Sequence, residues 1–262
     1  MTDKQPLVVI TDLDGTLLDH DTYQYDAAIP ALQELTSRHI PLILNSSKTA
    51  AEMKLLRDRL GNQHPFVVEN GAGIYLPKGD DYKKVSFGMD RQAILSVIHQ
   101  LRSKGQASFT GFADFTIDDI MQKTGLDREQ ARLASERDFT EPVLWKGEPE
   151  KLEIFKQALA EHGMTAVQGG RFISISGKVD KGQALRWLRD YYQEQYQQMP
   201  VIVALGDSDN DRPMLENADY AIVVRSPVHE PPLVNNKNVR VTESVGPRGW
   251  NDSLLSLLHE IT

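Results

Sequence analysis

Short apolar runs rich in β-branched residues alternate with longer helical patterns at both ends of this chain. From the N-terminus the order is PLVVI, the helical AAIPALQELTSRH, PLILN, the helical AAEMKLLRDRL, and PFVV. Helix-length crossovers between such runs leave parallel strands side by side, and strands apolar almost throughout are those covered on both faces. The rhythm resumes toward the C-terminus with KGQALRWLRDYY, VIVALG, RPMLENA and YAIVV. The chain is therefore predicted to be α/β, a doubly wound parallel sheet of Rossmann-like type assembled from two separated segments.

Between the segments the rhythm changes. Helical RQAILSVIHQLRSK is followed by a short FTGF, two polar helical stretches around DDIMQKTG and EQARLASER, the run EPVLW, another helix and a glycine-flanked RFISIS. This pattern predicts an inserted α+β domain over residues 82–176, with strands more suited to antiparallel pairing, in a core formed by 1–81 and 177–262. The 262 residues are enough for such a two-part enzyme. A cleft between the two parts is the expected ligand site.

Composition narrows the partners. The formal net charge of −8 opposes a phosphate backbone, and no stretch concentrates Lys and Arg with interleaved aromatics, so no nucleic-acid partner is expected. An anionic small substrate would meet the same field, and its site therefore calls for a local cation. There are no cysteines, which excludes disulfides, thiolate metal sites and thiol nucleophiles. The apolar run near the N-terminus is too short for a signal peptide and no later run approaches membrane-spanning length, so the expectation is a soluble, cytoplasmic protein with no membrane partner.

Ligands of open α/β sheets bind beyond the carboxyl ends of the strands. Four polar clusters stand there. DLDGT, residues 12–16, follows PLVVIT; residues two apart on extended backbone face the same way, so Asp12 and Asp14 can present two carboxylates to one site, although Asp-Gly also simply ends strands. GDSDND, residues 206–211, follows VIVAL. Its acids suit a helix N-terminus, yet carboxylates so close repel one another unless a cation sits among them. A calcium loop is excluded because Arg212 and Ala218 occupy the places of its glycine and its bidentate glutamate, and oxygen ligands without that framework favour magnesium. SSKT, residues 46–49, opens a helix; Ser46 or Ser47 is the expected N-cap, a geometry that also suits phosphate. Lys181, in the first turn of a helix, opposes the helix dipole and so has no local reason to be there.

Glu69, Asn70 and Gly71 are weaker pointers, since Asn-Gly is first of all a turn. The seven histidines, His229 among them, are scattered without metal-ligand spacing, and none is given a catalytic role. The Gly-x-Gly of NGAGIY lacks the rest of a dinucleotide fingerprint, and no Walker loop is present.

Taken in order, DLDGT, the Ser46 cluster, Lys181 and GDSDND resemble the four motifs of the haloacid-dehalogenase-like (HAD) phosphatases, over nearly the whole chain. Within them the chain is similar to the mannosyl-3-phosphoglycerate phosphatase family, through SSKT, ENGA, the stretches GFADFTIDDIMQKTGL and SERDFTEPVLW, and GRF ahead of the motif lysine. The resemblance implies a HAD core with an inserted cap and hydrolysis of a small anionic phosphate monoester through an aspartyl phosphate. It implies Asp12 as nucleophile, Asp14 as general acid and then base, and Ser46 and Lys181 as phosphoryl binders with help from Asn210. It also implies Mg2+ held by Asp12, the Asp14 carbonyl and Asp207, with Asp211 behind them. A glycerate carboxylate calls for a bidentate cation, for which Arg171 is the candidate, and sugar hydroxyls have Thr110, Asp114 and Glu141 as candidates.

Rival readings share this core. They are a broad sugar-phosphate phosphatase or one for the glucosyl analogue, a phosphomutase that returns phosphate to substrate, and a non-enzymatic phospho-acceptor. The pairing of Asp14 with Asp12 opposes the last, because a signalling domain has no leaving group to protonate.

Overall fold

The computed structural model describes residues 5–169 and 171–261; Gly170 of GRF lies outside them. The first elements are β1 (Leu7–Thr11), α1 (Ile29–Ser37), β2 (Leu42–Asn45), α2 (Ala50–Leu60), β3 (Phe66–Val68), β4 (Gly73–Lys78) and β5 (Asp81–Ser86). The middle holds α3 (Arg91–Ser103), β6 (Phe109–Gly111), α4 (Ile117–Thr124), α5 (Arg128–Ser135), β7 (Thr140–Trp145), α6 (Pro149–Glu161), β8 (Met164–Gly169) and β9 (Phe172–Gly177). The chain continues through α7 (Lys181–Tyr196), β10 (Val201–Gly206), α8 (Arg212–Glu216), β11 (Tyr220–Arg225), β12 (Val239–Val245) and α9 (Gly246–Ile261).

These elements form two units, 1–46 with 62–83 and 180–262, and 47–61 with 84–179. The helix α2 groups with the second unit, whereas the sequence reading put it in the core. Its N-cap hydroxyl, Thr49 Oγ1, donates to the Leu133 carbonyl at 2.9 Å.

The larger sheet has the order β12, β11, β10, β1, β2, β3, β4, β5. Pairing is parallel from β12 through to β3, and turns antiparallel between β3 and β4. The apolar runs of the sequence explain its centre: Val8, Val9, Ile10, Ile43, Leu44, Ile202 and Val203 are wholly buried. Each such side chain contributes about 1.5–3 kcal/mol relative to exposure. Trp250 of α9 is buried beneath this sheet, its Nε1 donating to Thr11 Oγ1 at 2.9 Å. The chain leaves β1 toward β2 and β3 on one side, while β10, β11 and β12 extend on the other. The direction therefore reverses between β1 and β10, the place where an open α/β sheet makes its binding crevice.

The second unit is built on a four-stranded sheet, β6, β7, β9, β8, antiparallel throughout. The helices α3 and α6 bring Ile94, Ile98, Phe155 and Leu159 against Val143, Ile173 and Ile175, every one at most 2% exposed. Trp145, Phe155 and Phe109 stack in series with ring centroids 5.3 and 5.8 Å apart. A smaller cluster of Phe112, Ile120, Ala131 and Ala134 holds α4 and α5. No described helix is long and apolar enough to cross a membrane.

Candidate active site

The strands β1 and β10 are adjacent and in register, Thr11 opposite Leu205, so the residues that follow each emerge side by side. Asp12 N donates to the Leu205 carbonyl at 2.9 Å, which continues the ladder one residue further and fixes the Asp12 backbone. A tight turn follows. Thr16 N and Leu18 N both donate to the Leu13 carbonyl, Leu13 and Leu17 are buried, and Gly15 sits at φ +79°. A Cβ on Gly15 would lie 2.8 Å from Asp207 Oδ2, so this position needs glycine for both conformation and space.

Side chains from four separate parts of the chain meet here. Lys181 Nζ lies 2.5 Å from Asp12 Oδ1 and 2.6 Å from Asp211 Oδ1, with all three residues buried. The other Asp211 oxygen, Oδ2, accepts from the amides of Asp207 and Ser208, both at 3.1 Å. Thr16 Oγ1 reaches Asp12 Oδ2 at 3.3 Å and Asp207 Oδ1 at 3.0 Å, and having one proton it donates to one of them at a time. His229 Nε2 stands 3.2 Å from Asp207 Oδ2. Gly206 gives the room: a Cβ there would be 2.5 Å from Asp211 Cβ.

Burial raises the Asp12 carboxyl well above its ordinary pKa and the neighbouring Asp211 raises it further, while Lys181 opposes both. Asp207 is raised for the same reasons, burial first and then Asp211, against the Thr16 hydrogen bond and His229. For Lys181, burial favours the neutral amine, but Asp12 and then Asp211 outweigh it and hold the ammonium charged. One ammonium among three carboxylates leaves an excess of negative charge in a poorly solvated place. Asp12, Asp207 and Asp211 each offer an oxygen within 4.8 Å of the others. Such a buried set of hard oxygen donors fits a divalent metal ion, which would offset the repulsion that adds to burial in raising both pKa values.

Asp14 is half-buried in the same turn, bridged by backbone to Leu18, and its carboxylate is not one of the three that cluster. Ser46 is buried at the end of β2, its N donating to Val67 O and its carbonyl accepting from Asn70 N at 2.9 Å. It is not the helix cap, and neither is Ser47. The N-cap of α2 is Thr49, because only Thr49 has a glutamate three residues on: Glu52 N donates to Thr49 Oγ1 at 3.2 Å and Glu52 Oε2 accepts from Thr49 N at 2.8 Å.

Asn210 is exposed and donates from Nδ2 to Asn70 Oδ1 at 3.2 Å. Asn70 lies in a run of positive φ, with Glu69 at 50°, itself at 61° and Gly71 at 95°. Arg171 belongs to the other unit, is exposed, and donates from Nη1 to the Lys123 carbonyl at 2.8 Å. There too, Glu141 is buried and engaged by Arg91 and the Ala113 amide, and Asp114 by Arg102 and the Gly111 amide.

Two contributors were not assigned from sequence. Thr16 was named only as the end of DLDGT, and its spacing from Asp12 carried the signal. His229 carried none, standing in an irregular segment far from any motif.

A curated protein of Persephonella marina called glucosyl-3-phosphoglycerate/mannosyl-3-phosphoglycerate phosphatase is 36% identical, over 97% of this chain and 98% of its own length. One of the same description from Methanococcoides burtonii is 37% identical, over 96% and 97%. Among solved structures, a phosphatase of the haloalkanoate (HAD) superfamily from Bacteroides thetaiotaomicron superposes with a TM-score of 0.68 at 18% identity, over 99% of this chain and 96% of that one. A Thermoplasma acidophilum protein gives 0.68 at 16% identity, over 98% and 100%, and at that distance both show the fold alone. Residues 9–231 match the haloacid dehalogenase-like hydrolase family profile, a span that holds the Asp12 turn, Lys181 and every clustered aspartate, and the chain belongs to that family.

Proposed function

We propose that this chain is a Mg2+-dependent phosphatase that hydrolyses mannosyl-3-phosphoglycerate, or its glucosyl counterpart, to the glycosylglycerate and inorganic phosphate. The observation that carries the reading is the meeting of Lys181 with Asp12 and Asp211 at hydrogen-bond distance, beside Asp207, where the sheet reverses direction. The substrate is supported by the names of two relatives that match nearly the full chain.

In this mechanism an Asp12 carboxylate oxygen attacks phosphorus in line, the ester P–O bond breaks, and Asp14 gives its proton to the departing alkoxide. Asp14, now a carboxylate, takes a proton from water. That water attacks the aspartyl phosphate, the bond to the Asp12 oxygen breaks, and phosphate leaves with Asp12 restored. Lys181 has three donors; two serve Asp12 and Asp211, and the third is assigned to a phosphoryl oxygen together with Ser46 and Asn210. The proposed metal ligands are the carboxylates of Asp12 and Asp207 and the Asp14 carbonyl, with Asp211 orienting Lys181 and the Asp207 backbone. When bound, Mg2+ supplies the charge that lets a carboxylate approach a phosphate dianion.

Residues 1–81 and 177–262 are assigned as the catalytic core and 82–176 as the cap that reads the substrate, with Arg171 proposed for the glycerate carboxylate. The absence of cysteine supports a reducing, cytoplasmic setting. The test is a comparison of kcat/KM for mannosyl-3-phosphoglycerate, its glucosyl analogue, 3-phosphoglycerate and hexose phosphates. A clear preference for the glycosylated glycerates is expected, and equal rates across the panel would defeat the substrate assignment.

A further inference from the structure

Asp207 is gripped at both of its oxygens. Thr16 Oγ1 lies 3.0 Å from Oδ1, and His229 Nε2 lies 3.2 Å from Oδ2 on the opposite end of the carboxylate. Gly15 closes a third side, since even a methyl group there would come within 2.8 Å of Oδ2. The histidine arrives on residues 226–238, which form neither helix nor strand between β11 and β12. This segment is nonetheless braced. Pro227, Pro231 and Pro232 fix φ on either side of the ring, and Val228 N donates to Ser226 Oγ at 3.3 Å. The ring is partly exposed, at 39% of its side-chain surface, whereas Asp207 is at 6%, so the contact does not arise from packing the histidine into the core.

His229 Nδ1 lies 3.2 Å from the Glu230 carbonyl, so the ring form decides which nitrogen donates. We propose that His229 is a positioning residue for the metal centre: with a proton on Nε2 it donates to Asp207 Oδ2 and holds that carboxylate toward the other two as a cation ligand. The inference rests on reading the clustered aspartates as cation ligands. A carboxylate surrounded by two others is pushed to rotate away from them. A donor at Oδ2, joined at Oδ1 by Thr16 whenever its proton is not on Asp12, resists that rotation, while each carboxylate oxygen keeps a lone pair for the metal. Outer partners of this kind contribute roughly 10–100-fold to metal affinity.

The experiment is calorimetric titration of Mg2+ into metal-free protein. His229→Leu, which keeps bulk but loses the donor, is expected to bind Mg2+ roughly 10–100-fold more weakly. His229→Gln, whose Nε2 can donate from nearly the same place, is expected to stay within about threefold of the wild type, far inside that range. At saturating Mg2+ the Leu variant should recover most of its kcat, which a collapsed site would not do. Unchanged affinity in the Leu variant, or equal weakness in the Gln and Leu variants, would overturn the positioning role and leave the proposed function standing. A wild type that takes up no Mg2+ would overturn both.

Discussion

The ammonium of Lys181 stands 2.5 Å from Asp12 Oδ1, although the two residues are 169 positions apart in the chain. The lysine opens α7, with Asp180 as the N-cap accepting from Gln183 N. A cation in the first turn of a helix is electrostatically misplaced, and burying it adds a second cost. Both are offset only because Asp12 and Asp211 meet it.

Replacing Lys181 with Met should therefore do more than slow catalysis. It leaves two buried carboxylates without their counter-charge, and breaking a buried pair from one side costs about 3–5 kcal/mol. Urea unfolding in EDTA should show that loss. A variant as stable as the wild type would mean that the pairing is not formed in solution.

Asp14→Asn keeps the backbone carbonyl and the turn but cannot transfer a proton. Its kcat should fall by roughly 10²–10⁴-fold, with Mg2+ affinity nearly unchanged because the Asp14 carboxylate is not in the cluster. Steady-state phosphate release, paired with calorimetry, separates the two effects. Asp12→Asn should release no phosphate at all.

Magnesium affinity should rise with pH. Asp12 and Asp207 have carboxyls raised above their usual range, by burial first and then by Asp211, so in the metal-free protein protons compete for the same oxygens. The sign for stability is the reverse of the usual carboxylate case. A raised pKa means the folded state binds more protons than the unfolded one above the unfolded value, so metal-free stability falls as pH rises through that window. Added Mg2+ should cancel this, stabilising by about 2.7 kcal/mol at one hundred times its Kd. Melting curves with Mg2+ and with EDTA across pH 4–8 check both signs.

Gly71→Ala should be severe although it adds one methyl group. Gly71 sits at φ +95°, and a Cβ would lie 2.2 Å from the Asp180 carbonyl oxygen, the residue that caps α7 beside Lys181. Either the turn or the start of α7 must move. A loss of about 1–3 kcal/mol from backbone strain is expected, together with a drop in kcat, since the displaced residue is the neighbour of the lysine. Circular dichroism melting and kinetics on the same preparation measure the two.

Much of this was readable in the residues, for a physical reason. β1, β2, β10 and β11 are buried on both faces, so their sequences are continuous apolar runs, and the polar residues that end each run mark the strand tips. Asp12, Asp207 and Lys181 were legible because each stands where such a run stops or a helix begins.

The edges of the sheet gave less signal. β5 reads DYKKVS with no residue buried, and β12 reads VRVTESV with only Thr242 buried, so neither announces a strand by burial. β4 hides behind the glycines of NGAGIY, and α9 opens with Gly246 and Pro247, which look like a turn. His229 was not readable at all, because what places it is the close of a long irregular segment on Asp207, and no local periodicity encodes that.

The neighbour relation of β1 and β10 bears on how the enzyme is made. A ribosome that has delivered everything through β9 has synthesised β1, with its wholly buried valines and isoleucine, but not the strand that covers one of its edges. Throughout that interval an apolar strand waits with an open flank, the circumstance that invites mispairing and chaperone capture. The inserted unit meanwhile has all of its own strands and can fold first. The carboxylate cluster thus forms only when β10 slides in beside β1 and carries Asp207 and Asp211 to the much earlier Asp12.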